Sequence, residues 1–398
     1  MTMRRIAVFT ASRAEFGLLT PLLEELRRSP TVDLRLIVSG SHLSPEFGFT
    51  RQLIQADGFR VDAEVEMLLS SDSPVGAAKS AALALMGVAE CLDRLGPDLL
   101  VVLGDRYEVL AAAEAALLAT VPVAHIGGGE VTEGAVDESI RHAVTKLAQL
   151  HFVATDGFAR RVRQLGEDPS RVFRVGALGV DNVRRLDLLD RGALEADLGY
   201  SLGRPLLLVT QHPVTAHPDL VETETAGLLS ALDAFPHATV LFTRSNADVA
   251  ARQVDSAVRA FVAGRPRACL VGTLGRCRYL STMAAADVVV GNSSSGLIEA
   301  PAVGTPTVDI GDRQRGRPRA GSVLHCEANP AEIVRTIELA LSSTAQAIAA
   351  RRESPYGDGR AAERICRVLT ALSPGSLPAK SFVDHPPAEP AESFGADR

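Results

Sequence analysis

The sequence predicts an α/β protein built as two doubly wound domains that face each other across a cleft. Three observations predict it. Short apolar runs alternate with helix-periodic segments along most of the chain, the pattern of βαβ units and parallel sheets. The alternation runs twice, separated by a charged, glycine-broken stretch at residues 181–204. Every polar cluster discussed below falls directly after an apolar run, the edge at which open α/β sheets bind ligands.

Taken in order, Arg5–Thr10 reads as a strand, Leu18–Arg28 as a helix and Asp33–Ser39 as a strand. An Ala-rich helix at Val75–Leu95, a strand at Leu99–Leu103, a helix at Val109–Ala119 and a strand at Val123–Ile126 follow. Asp137–Leu147 is a helix and His151–Ala154 a strand. The second round gives strands at Pro205–Thr210, Thr239–Thr243, Val288–Val290 and Thr307–Ile310, with helices at Glu222–Phe235 and Ala250–Ala263. The boundary falls near Gly179–Leu194, which sets domains at 1–180 and 181–372. Residues 331–350 and 359–372 are closing helices, the last returning to the first domain, and the Pro-rich stretch 373–398 is expected to be a disordered tail.

A chain of 398 residues suffices for roughly two domains. With no Trp, four Tyr and a net charge of −7, it offers neither stacking platforms nor a basic face for nucleic acid or anionic membrane. The five cysteines show no CxxC or zinc spacing and read as thiols in a reducing cytosol. The N-terminus runs straight into a strand without a secretory pattern, and no apolar run reaches about 18 residues, so a cytoplasmic protein is expected. Dinucleotide, P-loop, zinc-protease and nucleophile-elbow motifs are all absent from the sequence.

The strongest local signal is Gly291-Asn292-Ser293-Ser294-Ser295-Gly296, between an apolar run and a helical segment. Small hydroxyls and free backbone N–H groups at a helix start suit an anion, and Glu299 one turn later suits the two hydroxyls of a ribose. A nucleoside diphosphate between the two halves follows. Arg13 follows the first strand and His42 the second. Asp105, Arg106 and Glu108 place three charges behind a buried strand, which is costly unless they line a cleft. Gly127-Gly128-Gly129-Glu130 allows close backbone approach, and Glu130 with Asp137 can divide acid and base roles. His212, Asn246 and the basic run Asp312–Arg317, with Arg313, close the set.

These blocks together resemble the hydrolysing UDP-N-acetylglucosamine 2-epimerases, the enzymes that start sialic and legionaminic acid synthesis. The resemblance spans Arg5 to Val368 and rests on the segments around Arg13, His42, Asp105, His125–Lys146, His212, Asn246, Ser293 and Arg313. It implies a glycosyltransferase-B-like architecture, anti elimination of UDP across C1–C2 to a 2-acetamidoglucal, and water addition at C1. No metal or redox cofactor is implied, and a homodimer or homotetramer is expected. Asp105, Asp137, His42 and His212 fall on the catalytic positions, and Arg13, Ser293, Ser294, Glu299 and Arg313 on uridine and diphosphate contacts; Arg106, Asn246, Ser295 and Gly296 complete the expected binding set. One position departs from the pattern: relatives carry Glu or His where this chain has Gly127, and Glu130 is expected to serve instead. Two other readings stay open on the residues, a glycosyltransferase of the same architecture and a catalytically altered UDP-sugar-binding protein.

Overall fold

Thirteen parallel strands among the described residues form two sheets. The structure is a computed structural model that describes residues 3–69, 71, 73–132, 136–213, 220–244, 251–272, 274–372, 377 and 380–384. The first sheet holds β1 (Arg4–Thr10), β2 (Val32–Ser39), β3 (Ala63–Val65), β4 (Leu99–Leu103), β5 (Val123–Ile126), β6 (Leu150–Val153) and β7 (Val172–Arg174), in the order β3-β2-β1-β4-β5-β6-β7. The second holds β8 (Leu206–Thr210), β9 (Thr239–Thr243), β10 (Ala268–Val271), β11 (Val288–Gly291), β12 (Thr307–Ile310) and β13 (Val323–Cys326), in the order β10-β9-β8-β11-β12-β13. Both are doubly wound. The strand order reverses beside β1 in one sheet and beside β8 in the other, and crevices for ligands open at those reversals.

The central strands are apolar because both faces are covered by helices. Ile6 to Phe9, Leu206 to Val209 and Val288 are fully buried. The helix Arg13–Arg28 starts earlier than its periodicity suggests, because Ser12 caps it by accepting from the Glu15 amide at 3.3 Å. Arg13 is therefore the first helical residue rather than part of a loop. His42 sits in a 3-10 turn, Gly40–Leu43. The expected helix 331–350 divides into Pro330–Leu341 and Ser343–Ala349 where Ser342 turns extended and caps the second piece. The helix Pro74–Leu95 is long and apolar enough to cross a membrane by length and composition alone, with a mean hydropathy of 1.4 over 18 residues, which the sequence reading did not expect. Here it lies against the helix Tyr107–Leu118, with Ala84, Val88, Cys91 and Leu92 buried.

The chain passes between the sheets twice. The helix Leu178–Arg185 leads out of the first lobe, and Ala361–Ala371 lies back on it, its Ala361, Ala362, Ile365 and Leu369 joining the core around β1 and Arg13–Arg28. Asp181, fully buried, accepts from the Ala361 and Ala362 amides at 2.9 and 2.8 Å and so fastens the returning helix to the outgoing one. Within the segment expected to be a disordered tail, residues 380–384 are packed. Lys380 donates to the Thr145 and Ala148 carbonyls at 2.8 and 2.6 Å, and the Phe382 ring covers Gly166.

Candidate active site

The serine loop is built by a glycine and an asparagine. Gly291 ends β11 beside Thr210 with φ at +132°, and a Cβ there would lie 2.0 Å from the Thr210 carbonyl oxygen, so only glycine fits. Asn292, buried, then clasps the backbone of His212 in both directions: its Oδ1 accepts from the His212 amide and its Nδ2 donates to the His212 carbonyl, each at 2.8 Å. The loops after β8 and β11 are locked together, at the reversal of the second sheet. Ser294 precedes the helix Ser295–Val303, Ser293 Oγ lies 3.0 Å from Ser295 Oγ, and the Tyr279 hydroxyl lies 2.5 Å from Ser295 Oγ. Burial pushes the Tyr279 phenol up to about 12. Arg313 donates to the Asn292 carbonyl at 3.1 Å, which sets a guanidinium beside the hydroxyls and the positive end of a helix dipole.

These groups line a cavity of about 520 Å³ between the lobes, together with Arg13, His42 and His212. Burial lowers the Arg13 pKa, a sign of a cation held in a partly dry site. Glu299 lies in the same lining. Burial pushes its carboxyl up to about 7, with Glu130 adding to the rise and Arg317 opposing it, and its Oε2 has no hydrogen-bond partner among the described residues. A Cβ on Gly179 would lie 2.3 Å from Glu299 Oε1, so a larger residue there would displace the Glu299 carboxyl. His42 is a wall of the cavity. Its Nδ1 lies 2.8 Å from Thr50 Oγ1 and its Nε2 3.2 Å from Thr10 Oγ1, and burial drives its pKa down to about 4. The ring is therefore neutral, with both nitrogens within reach of threonine hydroxyls.

The acids form a second group, outside the lining of that cavity. Its hub is Arg141, fully buried on the helix Val136–Leu147. Its Nε donates to Asp105 Oδ2 at 3.0 Å, Nη1 to the Glu130 carbonyl at 2.8 Å and Nη2 to Thr132 Oγ1 at 2.7 Å, and it pairs with Glu138 as well. Burial works against this charge, and Asp105, Glu130 and Glu138 outweigh it, so the guanidinium pKa rises. His125 on β5 ties the same corner by donating from Nε2 to the Gly104 carbonyl at 2.8 Å; burial holds it near 4, neutral. Gly127 has φ +94°, and the atom nearest to a Cβ built there is Glu130 Oε1 at 3.8 Å. The Glu130 carboxylate thus lies beside the place where the relatives' side chain would begin. Glu299 feels the charges of Glu130 and Arg317, which puts this acidic corner near the Glu299 end of the cavity.

Of the other expected residues, Arg106 pairs with Glu108 at 3.3 Å and is absent from the cavity lining. Asp137 lies in the first turn of Val136–Leu147, and Gly296 is buried against Thr307 of β12 rather than lining the cavity. Asn246 lies outside the described residues. No role was expected of Arg141 or His125, and Arg317 entered only as the end of the basic run Asp312–Arg317; for Arg141 a buried-face arginine three residues after Glu138 was the one available signal. Among the described residues, Asp312, His325 and Glu327 bring ligand atoms within 4.8 Å of one another, all exposed and outside the cavity lining.

Two doubly wound lobes, a serine-rich helix start and arginines from both sides define a nucleotide-sugar protein of glycosyltransferase-B-like architecture. The family described as UDP-N-acetylglucosamine 2-epimerase matches residues 24–370, and the chain belongs to it. It is 38% identical over 330 residues to a GDP/UDP-N,N'-diacetylbacillosamine 2-epimerase (hydrolyzing) of Campylobacter jejuni, covering 83% of this chain and 86% of the relative. It is 31% identical to a UDP-N,N'-diacetylbacillosamine 2-epimerase (hydrolyzing) of Legionella pneumophila, covering 93% and 96%. In fold it is similar to the UDP-N-acetylglucosamine 2-epimerase of Methanocaldococcus jannaschii in complex with UDP-GlcNAc and UDP, with TM-score 0.76, 17% identity and coverage of 92% and 99%. The Neisseria meningitidis enzyme bound to UDP-GlcNAc gives TM-score 0.69, 18% identity and the same coverage.

Proposed function

We propose that this chain catalyses the hydrolysing 2-epimerisation of a UDP-2-acetamido sugar. A base takes the C2 proton while the C1–O bond to UDP breaks, leaving a 2-acetamidoglucal. Water then adds hydroxyl at C1 and a proton returns to the opposite face of C2. The products are the free 2-epimeric sugar and UDP. The observation that carries the reading is the pairing of Ser293, Ser294 and the helix start with Arg13 and Arg313 across one cavity, beside a buried acidic corner. Donors on both sides stabilise the leaving diphosphate, and Glu299 accepts from the ribose hydroxyls. Asp105, Glu130 and His212 are the candidates for moving the C2 proton, with Asp137 beside them on the helix of Arg141.

The names of the relatives make UDP-N,N'-diacetylbacillosamine the first substrate to try, beside UDP-N-acetylglucosamine. Either product belongs to sialic or legionaminic acid synthesis. Five free cysteines suit a cytoplasmic setting. Val75, Leu83 and Met86, exposed with Leu117 and Leu118 on the neighbouring helix, suit a homo-oligomer face. The test is incubation with each UDP-sugar in deuterated water, followed by NMR. Free sugar carrying deuterium at C2, with UDP, is the expected result; UDP release only when an acceptor is added would overturn it.

A further inference from the structure

The basic run after β12 contains an arginine that the reading above leaves unused. Arg313 lines the cavity; Arg317 does not. Arg317 belongs to the second lobe, yet its donors go to the first. Nη2 lies 3.1 Å from Glu130 Oε2 and 3.2 Å from Thr132 Oγ1, and Nε donates to the Val131 carbonyl at 2.7 Å. Its side chain is 8% exposed. On the other side Arg141 holds the same loop through the Glu130 carbonyl and the Thr132 hydroxyl. The loop after β5 is therefore gripped by two buried guanidiniums, one from each lobe, and of these two Arg317 is the one that touches the Glu130 carboxylate.

We propose that Arg317 is a positioning residue for the reaction: it reaches across the cleft to aim the Glu130 carboxylate at the sugar, so the acidic corner is set for proton transfer only while the lobes are together. This rests on the assignment of the C2 proton to Glu130. A guanidinium suits the task because its rigid fork bonds carboxylate, carbonyl and hydroxyl at once, which an ammonium on a flexible stem does not reproduce. Contact between lobes makes the arrangement conditional. When the second lobe swings away, Arg317 leaves with it, and the loop keeps only the grip of Arg141.

The experiment uses the full chain and a turned-over UDP-sugar at pH 8, above the value at which Glu299 titrates. Arg317→Ala should lower kcat by about 10²-fold, the scale of an ångström-sized misplacement. KM and the affinity for UDP should move by less than about threefold, since the cavity contacts remain. Arg317→Lys should recover part of kcat, and carries the test if the alanine variant does not fold. In the background of Glu130→Gln, removing Arg317 should cost nothing further, because both act on one step. An unchanged kcat in Arg317→Ala, a loss confined to KM, or losses that multiply with those of Glu130→Gln would overturn the proposal. Full turnover in Glu130→Gln beside a crippled Arg317→Ala would sink the assignment of Glu130 itself; a crippled Glu130→Gln beside an intact Arg317→Ala would sink the positioning role alone.

Discussion

Two buried glutamates carry opposite consequences of being dry. Burial pushes Glu299 up to about 7 in the free protein, while on the proposed reading the ribose hydroxyls donate best to its ionised form. Binding of UDP should therefore release a proton and tighten as pH rises through 7. Titration calorimetry should show about tenfold weaker binding at pH 6 than at pH 8 from this group, a component that Glu299→Gln abolishes. Glu15 lies deeper. Burial pushes it to about 8, with the charge of Glu108 adding and the Ala11 amide, which it accepts at 3.0 Å, opposing. Unfolded, it ionises near 4.5, so the folded state keeps a proton that the unfolded chain loses. The stability this represents is whole below 4.5 and drains away as pH climbs toward 8. Glu15→Gln, neutral in both states, should melt higher than the parent at pH 8 by a few kcal/mol and match it near pH 4. At this scale the residues expected to meet a nucleotide, Arg13, Ser293, Glu299 and Arg313, all line the cavity. The sequence did not reveal the partners that Arg141 and Arg317 take. Their partners Asp105 and Glu130 lie 36 and 187 residues away in the chain (141 − 105 and 317 − 130), and no local pattern encodes an ion pair of that span.

Among elements, the long central strands were legible because burial on both faces writes a continuous apolar run. The edge strands β3, β7, β10 and β13 were not. They have three or four residues and are only partly buried, so neither a run nor an alternation develops. The β8 and β11 loops show what a single side chain does for an element. Asn292 makes two buried hydrogen bonds to the His212 backbone, and Asn292→Ala removes both. We expect a loss of about 2–3 kcal/mol in denaturant melts, with a fall in kcat as the His212 loop loosens. Unchanged stability together with unchanged kcat would show that the two loops hold their places without the clasp.

For the molecule as a whole, the lobes meet through a shared apolar cluster of Val153 and Phe158 with Leu297 and Val323, and through polar contacts beside it. Asn182, on the outgoing helix, donates to the Gly17 carbonyl at 2.8 Å and accepts from Arg276 at 3.2 Å, so one amide binds a helix of each lobe. Asn182→Ala should widen the ligand-free particle in solution scattering and lower kcat/KM by about tenfold as closure becomes less favourable; an unchanged scattering profile would remove Asn182 from any part in closure. The two-domain pattern was legible from the repeated alternation. What the alternation hides is how closely the lobes depend on each other's loops, because Arg317 and Glu130 meet only after both sheets exist.

The returning helix Ala361–Ala371 gives this chain an order of manufacture. Its Ile365 and Leu369 are fully buried in the core beneath β1, and Arg4 donates to the Leu369 carbonyl. On a ribosome, the half synthesised first cannot seal its interior until residues 361–371 have been added. The half synthesised second has all its strands available earlier. The nascent chain should therefore mature in reverse, with the downstream sheet complete while the upstream one waits for its final turn of helix.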